Sequence, residues 1–397
     1  MLAKTNKNTC SGCTACSAVC PKHCIVMKED EEGFDYPYIE DKSKCINCGL
    51  CKQICPVNND LKKSGNSYTL AVQNLNENIR SKSSAGGIIG AIFEYVFSKQ
   101  GVAYGAVFDE NCLVKHMAVS SMEECLEYKI FSSKYVTSNL DGVFTSVQGD
   151  LLKGKLVCFV GLPCQVAGLK AFLKKNYNNL LLVDLTCYGV PSRLFFKKYI
   201  MYLEEKYKSK IKDVRFRDKS YGYSAPTMFI EFKDGQIHSQ TPAVKSYLRA
   251  FFANMSIRPS CYHCAFKGVE RVSDLTIGDC KNIKDFISEF DDDKGTTVVY
   301  VHSATGEKII NNLNNVRLRK VPIDKILMSC GQKMQKQASY NPKRQGFFSD
   351  LSHLPYEKLI NKHCPPNYKE YVVNIIKWFL LKTGLNKTSI LRKLKGR

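Results

Sequence analysis

The first ten residues hold no apolar run of the kind that opens a secretory signal. That lack predicts a chain kept in the reducing cytoplasm and argues against a disulfide framework for its nineteen cysteines. The longest late apolar stretch, residues 371–381, is broken by Asn374 and Lys377. It falls well short of the about 20 apolar residues of a membrane span, so no transmembrane segment is expected. No G-x-G-x-x-G follows a strand-like segment and no G-x-x-x-x-G-K-S/T occurs, so neither a nicotinamide dinucleotide nor ATP has a recognisable cradle. Low-complexity tracts are missing. His23, His116, His238, His302, His353 and His363 lack ligand-like spacing and read as surface or packed residues. The acidic run at 291–293 reads as a solvated turn rather than a cation site.

What the chain has is length, charge and sulfur. At 397 residues and 44% hydrophobic it can bury a substantial core in two or three domains. Its net charge of +21 favours acidic partners: nucleic acid, anionic lipid or an acidic protein. No recognised nucleic-acid motif accompanies that charge, so nucleic acid is not the expected partner. Negatively charged clusters bound by thiolates would offset part of it. Residues 377–397 carry seven basic side chains and no acidic one. They read as a solvated terminal helix, with peripheral contact to lipid or an acidic partner as the alternative.

The sulfur is patterned. Cys10, Cys13, Cys16 and Cys20 precede Pro21, and Cys45, Cys48, Cys51 and Cys55 precede Pro56. Each copy reads C-x2-C-x2-C-x3-C-P, the bacterial ferredoxin run, in which the fourth cysteine ligates the other cluster. By that rule cluster one takes Cys10, Cys13, Cys16 and Cys55, and cluster two takes Cys45, Cys48, Cys51 and Cys20. Structural zinc prefers two C-x2-C pairs, which two fourfold runs fit poorly. Cys24 lies outside the pattern and reads as a packed bystander. Gly12 and Gly49 would let backbone N–H groups approach the sulfurs.

Residues 61–67, LKKSGNS, are polar and turn-rich and read as a linker. Beyond them, strand-like runs at 68–72, 102–108, 156–161 and 180–185 alternate with helical stretches at 83–97, 165–173 and 194–207. This alternation predicts an α/β domain with a largely parallel sheet. Ligands in such folds bind beyond the carboxyl ends of strands. Cys164 and Cys187 follow strands, and Cys164 sits at a helix start, where a thiolate is favoured. Cys261 and Cys264 form a later C-x2-C pair. Three readings of these four stay open: a third 4Fe-4S cluster, a zinc site on Cys261 and Cys264 with His263 or another ligand, or buried free thiols. Cys280 is a spare candidate ligand. Cys112, Cys125, Cys158, Cys330 and Cys364 have no partner spacing. The small residues 83–87, SSAGG, suit a phosphate or flavin ring as well as they suit an ordinary serine-capped helix start.

Several segments together are similar to a known family: SSAGG (83–87), GVAYGAVFDE (101–110), GLPCQVAGLK (161–170), DLTCYGVPS (184–192), FRDK (216–219) and RPSCYHCAFKGVERVSDLTIGD (258–279). The chain resembles the coenzyme F420 hydrogenase/dehydrogenase beta-subunit family, in its form with a fused two-cluster ferredoxin domain. The likeness runs from about residue 8 to about residue 305.

The resemblance implies an FAD-binding α/β domain with an iron–sulfur centre near the flavin. It sets Ser84, Gly86 and Gly87 against the flavin. Cys164, Cys187, Cys261 and Cys264 would hold the additional cluster, and Arg217 and Asp279 would line the flavin or substrate pocket. Leu162 and Cys280 depart from the family pattern, which has threonine and an aromatic residue there. Family members use different substrates, and relatives occur in polysaccharide biosynthesis.

The expected organisation is an α+β two-cluster ferredoxin domain (1–60), a linker (61–67), an α/β flavin-binding domain (68–325) and a basic helical extension (326–397). The expected function is that of a cytoplasmic oxidoreductase. It would pass electrons between a ferredoxin, or another acidic redox protein docked near residues 1–60, and a small-molecule substrate. A non-catalytic electron-relay subunit and a thiol/disulfide reductase are the alternatives.

Overall fold

The computed structural model describes residues 6–59, 61, 63, 68–239, 241–329, 331–367, 372, 375, 376 and 379. Cys330, most of the linker and most of the basic segment 377–397 lie outside the described residues.

The strands are β1 (Ile25–Glu29), β2 (Asp35–Ile39), β3 (Tyr68–Asn74), β4 (Val102–Phe108), β5 (Val114–Val119), β6 (Ser138–Asn139) and β7 (Val157–Gly161). They continue as β8 (Leu180–Leu185), β9 (Ile211–Asp218), β10 (Thr227–Phe232), β11 (Ile237–His238), β12 (Leu275–Asp279), β13 (Thr297–Val301) and β14 (Val316–Val321). β1 and β2 form an antiparallel ribbon flanked by the short helices Ala15–Ala18 and Leu50–Gln53, a ferredoxin-like unit. A nine-stranded sheet has the order β14-β3-β13-β12-β8-β7-β4-β5-β6, and β11-β10-β9 form a second, antiparallel sheet.

The large sheet is mixed, where the alternation of elements predicted a largely parallel one. Only β4-β7, β7-β8, β8-β12 and β5-β6 pair in parallel. β4 turns back into β5 through residues 109–113, which are closed by hydrogen bonds to the Asp109 carboxylate. β12 reaches β13 without an α-helical crossover, so the two can run antiparallel. Strand and helix alternation reads existence, not direction.

Both faces of the sheet are covered, and period-two alternation sorts the side chains. Leu181 and Val183 of β8 face a core with Ile88, Ile92, Phe93 and Val96 of the helix Ile88–Ser98. Leu180 and Leu182 face the other core, with Phe144, Val147, Val166 and Leu169 from the helices Val143–Leu152 and Pro163–Leu173. A third core gathers β9 and β10 with the helices Arg193–Tyr207, Pro242–Phe252, Arg344–Leu351 and Tyr356–His363. The first part of the expected basic extension is therefore interior: Phe347, Leu351, Leu359 and Ile360 are buried there.

That third core also takes in Phe34 and Tyr36 of the ferredoxin-like unit. The junction is closed by three arginines. Arg193 pairs with Asp35 at 2.7 Å, and Arg344 with Glu32 at 2.5 Å. Arg258, 1% exposed, lies 4.2 Å over the Tyr36 ring and donates to the carbonyls of Cys10 and Asp35, both at 2.8 Å. Gly33, at φ +82°, brings its backbone against Leu194, where a side chain would collide.

Arg258→Met should leave those two carbonyls buried without donors and remove the cation–π contact, costing on the order of 2–4 kcal/mol. Thermal unfolding of the anaerobic protein, followed by cluster absorbance, checks it. The expected outcome is earlier loss of the ferredoxin-like unit.

Candidate redox centre

The two cysteine runs fold alike. In the first, Gly12 (φ 69°) and Thr14 (φ 66°) adopt left-handed backbone at the second and fourth positions after Cys10. In the second, Asn47 (φ 52°) and Gly49 (φ 74°) do so at the same offsets after Cys45. Alternating left- and right-handed residues turn successive N–H groups inward, which suits a group bearing negative sulfur. A threonine and an asparagine hold two of the four positions, so glycine alone was an incomplete signal.

The thiols that become neighbours do not follow chain order. Burial raises the Cys13 thiol to about 11 and pushes Cys16 up further, with Cys10 and Cys55 adding repulsion at both. Cys55 thus stands among Cys10, Cys13 and Cys16. Cys20, Cys45, Cys48 and Cys51 line a second small cavity. Cys24 lines it too, with its sulfur 3.5 Å from that of Cys20. Sequence spacing alone placed Cys24 outside this group. Its position on the turn entering β1 puts it inside.

Cys164, Cys187, Cys261 and Cys264 line a third cavity together with Arg258, Lys267 and Arg271. Burial raises the Cys164 thiol well above its usual range, and repulsion from Cys187, Cys264, Cys261 and Cys13 adds to this. Burial likewise takes Cys187 to about 11 and Cys261 to about 12. The expectation that the helix start favours a thiolate at Cys164 is therefore reversed, because desolvation outweighs one turn of dipole. His263 is not among the side chains lining this cavity. Cys280 is buried in a separate core with Ile283, Phe290 and Tyr300. Among the described residues, no three His, Cys, Asp or Glu side chains converge where a single metal ion would sit.

The first cysteine run, the third thiol cavity and a larger cavity adjoin one another. A Cβ on Gly168 of the helix Pro163–Leu173 would stand 3.0 Å from the Cys13 sulfur, so the ferredoxin-like unit abuts this helix where Cys164 begins it. Cys187 lines the third thiol cavity and also a larger one, of about 440 Å³, at the carboxyl ends of β7, β8 and β12.

Ser84 and Gly87 line that larger cavity, with Arg217 and Asp279 paired at 2.6 Å on its wall. Burial alone would raise the Asp279 carboxyl, but the Arg217 charge holds it below its usual range. Gly86 points elsewhere: its N–H donates to Thr297 Oγ1 at 2.9 Å, and a side chain there would strike the Val72 carbonyl. Gly87, at φ +84°, caps the helix Ile88–Ser98. Ser84 Oγ accepts from the Ser133 N–H at 2.6 Å. Lys134, Lys281 and Lys333 add positive charge and Ile88, Ile89 and Phe131 an apolar wall. Leu162 lines the cavity as well. Lys134, pulled down to about 7 by burial, donates to the carbonyls of Lys129 and Ser132.

Sequence reasoning set His116 aside as a surface or packed residue. It lines the cavity, with Nε2 3.0 Å from the Val160 carbonyl and Nδ1 2.5 Å from Ser138 Oγ. The carbonyl requires a proton on Nε2, so Ser138 donates to Nδ1.

Residues 154–325 match the family model for the C terminus of the coenzyme F420 hydrogenase/dehydrogenase beta subunit, and residues 9–59 match the 4Fe-4S dicluster domain. No curated protein matches the chain. Among solved structures, a chain of the F420-reducing NiFe hydrogenase complex from Methanosarcina barkeri superposes with a TM-score of 0.44 at 16% identity, covering 76% of this chain and 93% of that one.

Burial holds His116 neutral, its pKa lowered from 6.5 to about 4. A depressed histidine contributes stability that is full above pH 6.5 and is lost as pH falls toward 4, on the order of 3 kcal/mol in all. Chemical unfolding at pH 7 and pH 5 should therefore differ less for His116→Phe than for the wild type.

Proposed function

Residues 154–325 belong to the coenzyme F420 hydrogenase/dehydrogenase beta-subunit family and residues 9–59 to the 4Fe-4S dicluster domains, and from that premise we propose that this iron–sulfur protein is a flavin-dependent oxidoreductase. Cys10, Cys13, Cys16 and Cys55 hold cluster one; Cys45, Cys48, Cys51 and Cys20 hold cluster two; Cys164, Cys187, Cys261 and Cys264 hold a third 4Fe-4S cluster. FAD occupies the 440 Å³ cavity. When bound, the clusters carry single electrons and the flavin joins one-electron to two-electron chemistry. The observation that carries the reading is the shared wall: Cys187 belongs to both the thiol cavity and the larger cavity, while Gly168 holds Cys13 against the helix of Cys164.

The chain's own residues have definite tasks in this reading. Cys164, Cys187 and Cys261 are held as neutral thiols by burial, and a cationic iron core would make their thiolates compatible with the site. The same raised values speak against a thiol/disulfide reductase, which needs an accessible thiolate. The apolar wall receives a planar ring and excludes water. Lys134, Arg217, Lys281 and Lys333 suit an anionic ligand, and the Arg217–Asp279 pair keeps the guanidinium oriented.

The donor is a small redox protein at the cluster-two end. Residues 1–60 hold seven lysines against eight carboxylates, so this unit is not basic as a whole. Glu32 and Asp35 pair across the junction with Arg344 and Arg193, while Asp30 pairs with Lys7 inside the unit. Lys22, Lys42, Lys44 and Lys52 remain exposed, with Cys48 and Ile46, at the far end. A role in polysaccharide biosynthesis would supply the substrate.

Anaerobic purification with iron, sulfide and flavin counts tests the proposal. About twelve iron and one flavin per chain are expected; about eight iron and no flavin would leave a bare electron relay. Cys55→Ser should lower iron and alter the low-temperature EPR of the cluster held by Cys10, Cys13 and Cys16, while Cys187→Ser should remove about four iron and leave the other two signals in place.

A further inference from the structure

Three cations line the cavity formed by Cys164, Cys187, Cys261 and Cys264. Two of them are committed to backbone: Arg258 donates to the carbonyls of Cys10 and Asp35, and Lys267 Nζ to those of Cys187, at 2.6 Å, and Lys333, at 2.5 Å. Arg271 is different. It is 4% exposed, its Nη1 donates to the Phe266 carbonyl, and its Nε is buried with no partner. A buried guanidinium N–H with nothing to bind is rare, because each such group costs roughly 1–3 kcal/mol.

Behind Arg271 lies a buried carboxylate. Asp184, at the end of β8, is 1% exposed. One carboxylate oxygen accepts from the Thr276 hydroxyl at 2.5 Å, and that hydroxyl in turn accepts from His302 Nε2 at 2.8 Å. Burial raises this carboxyl to about 6, while the Arg271 charge and the Ser273 hydroxyl also favour the carboxylate. The Arg271 charge acts on both the Asp184 carboxylate and the Cys187 sulfur. Arg271 thus stands between a buried anion and the thiol cavity.

We propose that Arg271 sets the reduction potential of the third centre, with Asp184 as the opposing charge that moderates it. The proposal rests on the reading of the four thiols as a 4Fe-4S site. Reduction adds one electron, and hence one negative charge, to a buried group. A cation with a free N–H beside the sulfurs stabilises the reduced form, and an anion behind it does the reverse. The electron comes from a one-electron donor and no proton is needed for the balance. Arg271 is a positioning residue, since it acts through the centre and touches no substrate.

An EPR-monitored redox titration of the full chain tests this, with dithionite as reductant and viologen mediators, alongside iron counts. Arg271→Gln should lower the midpoint of the third centre only, and Arg271→Lys, which keeps the charge but not the fork, should lower it less. Asp184→Asn should raise it. Unchanged midpoints in Arg271→Gln and Asp184→Asn at full iron content would overturn the role of Arg271 and leave the third centre standing. A wild-type chain with about eight iron and two centres removes the site itself, and both conclusions with it. Should Arg271→Gln fail to retain iron, the Asp184→Asn midpoint decides: a rise supports the proposal and no rise overturns it.

Discussion

The buried guanidinium of Arg258 is the constraint on which the arrangement depends. It reaches from the loop after the helix Pro242–Phe252 into the ferredoxin-like unit, lies on the Tyr36 ring, and gives donors to the Cys10 and Asp35 carbonyls. Its charge sits between the first cysteine run and the cavity of Cys164, Cys187, Cys261 and Cys264. Gly12 makes room for it, since a side chain there would meet the guanidinium within 3.0 Å. The hydrophobic contacts of Phe34 and Tyr36 supply area, but the arginine fixes register, because a planar fork satisfies two particular carbonyls and no others.

From that junction the rest follows by packing. Fixing the unit puts the helix Ala15–Ala18 on the helix Pro163–Leu173, with glycine at position 168 so that Cys13 can approach. The same helix begins with Cys164, and its flanking strands β7 and β8 deliver Leu162 and Cys187 to the carboxyl edge of the sheet. A parallel centre to the sheet is what gathers these ends on one side. The antiparallel flanks widen the sheet without contributing thiols.

Electrostatics tells a consistent story. Burial and neighbouring thiols raise Cys13, Cys16, Cys51, Cys164, Cys187 and Cys261, so gathering them without a counter-charge carries a cost. Around them the formal charge is segregated. Acids of the β1–β2 turn face arginines across the junction, and lysines are left at the outer pole. The net charge of +21 therefore says little about where a partner docks, because the ferredoxin-like unit carries almost none of it.

The cysteine runs, the strand cores at 102–108 and 180–185 and the helix start at Cys164 were legible, because spacing and period are local properties of a chain; the helix expected from residue 83 begins only at Ile88. Strand direction was not, nor the small sheet β9–β11, nor the recruitment of residues 344–364 into the core, because these depend on contacts between distant segments. Gly86 lies off the cavity, and Cys24 and His116, packed as expected, line cavities, for the same reason: a side chain's neighbours are set by how elements pack, not by its own flanks. The amino-acid sequence by itself determined that sulfur would be gathered in fourfold sets. Spacing left Cys164, Cys187, Cys261 and Cys264 open between three readings; only the tertiary structure lines one cavity with all four and sets Arg271, with its unpartnered Nε, between that cavity and the buried Asp184.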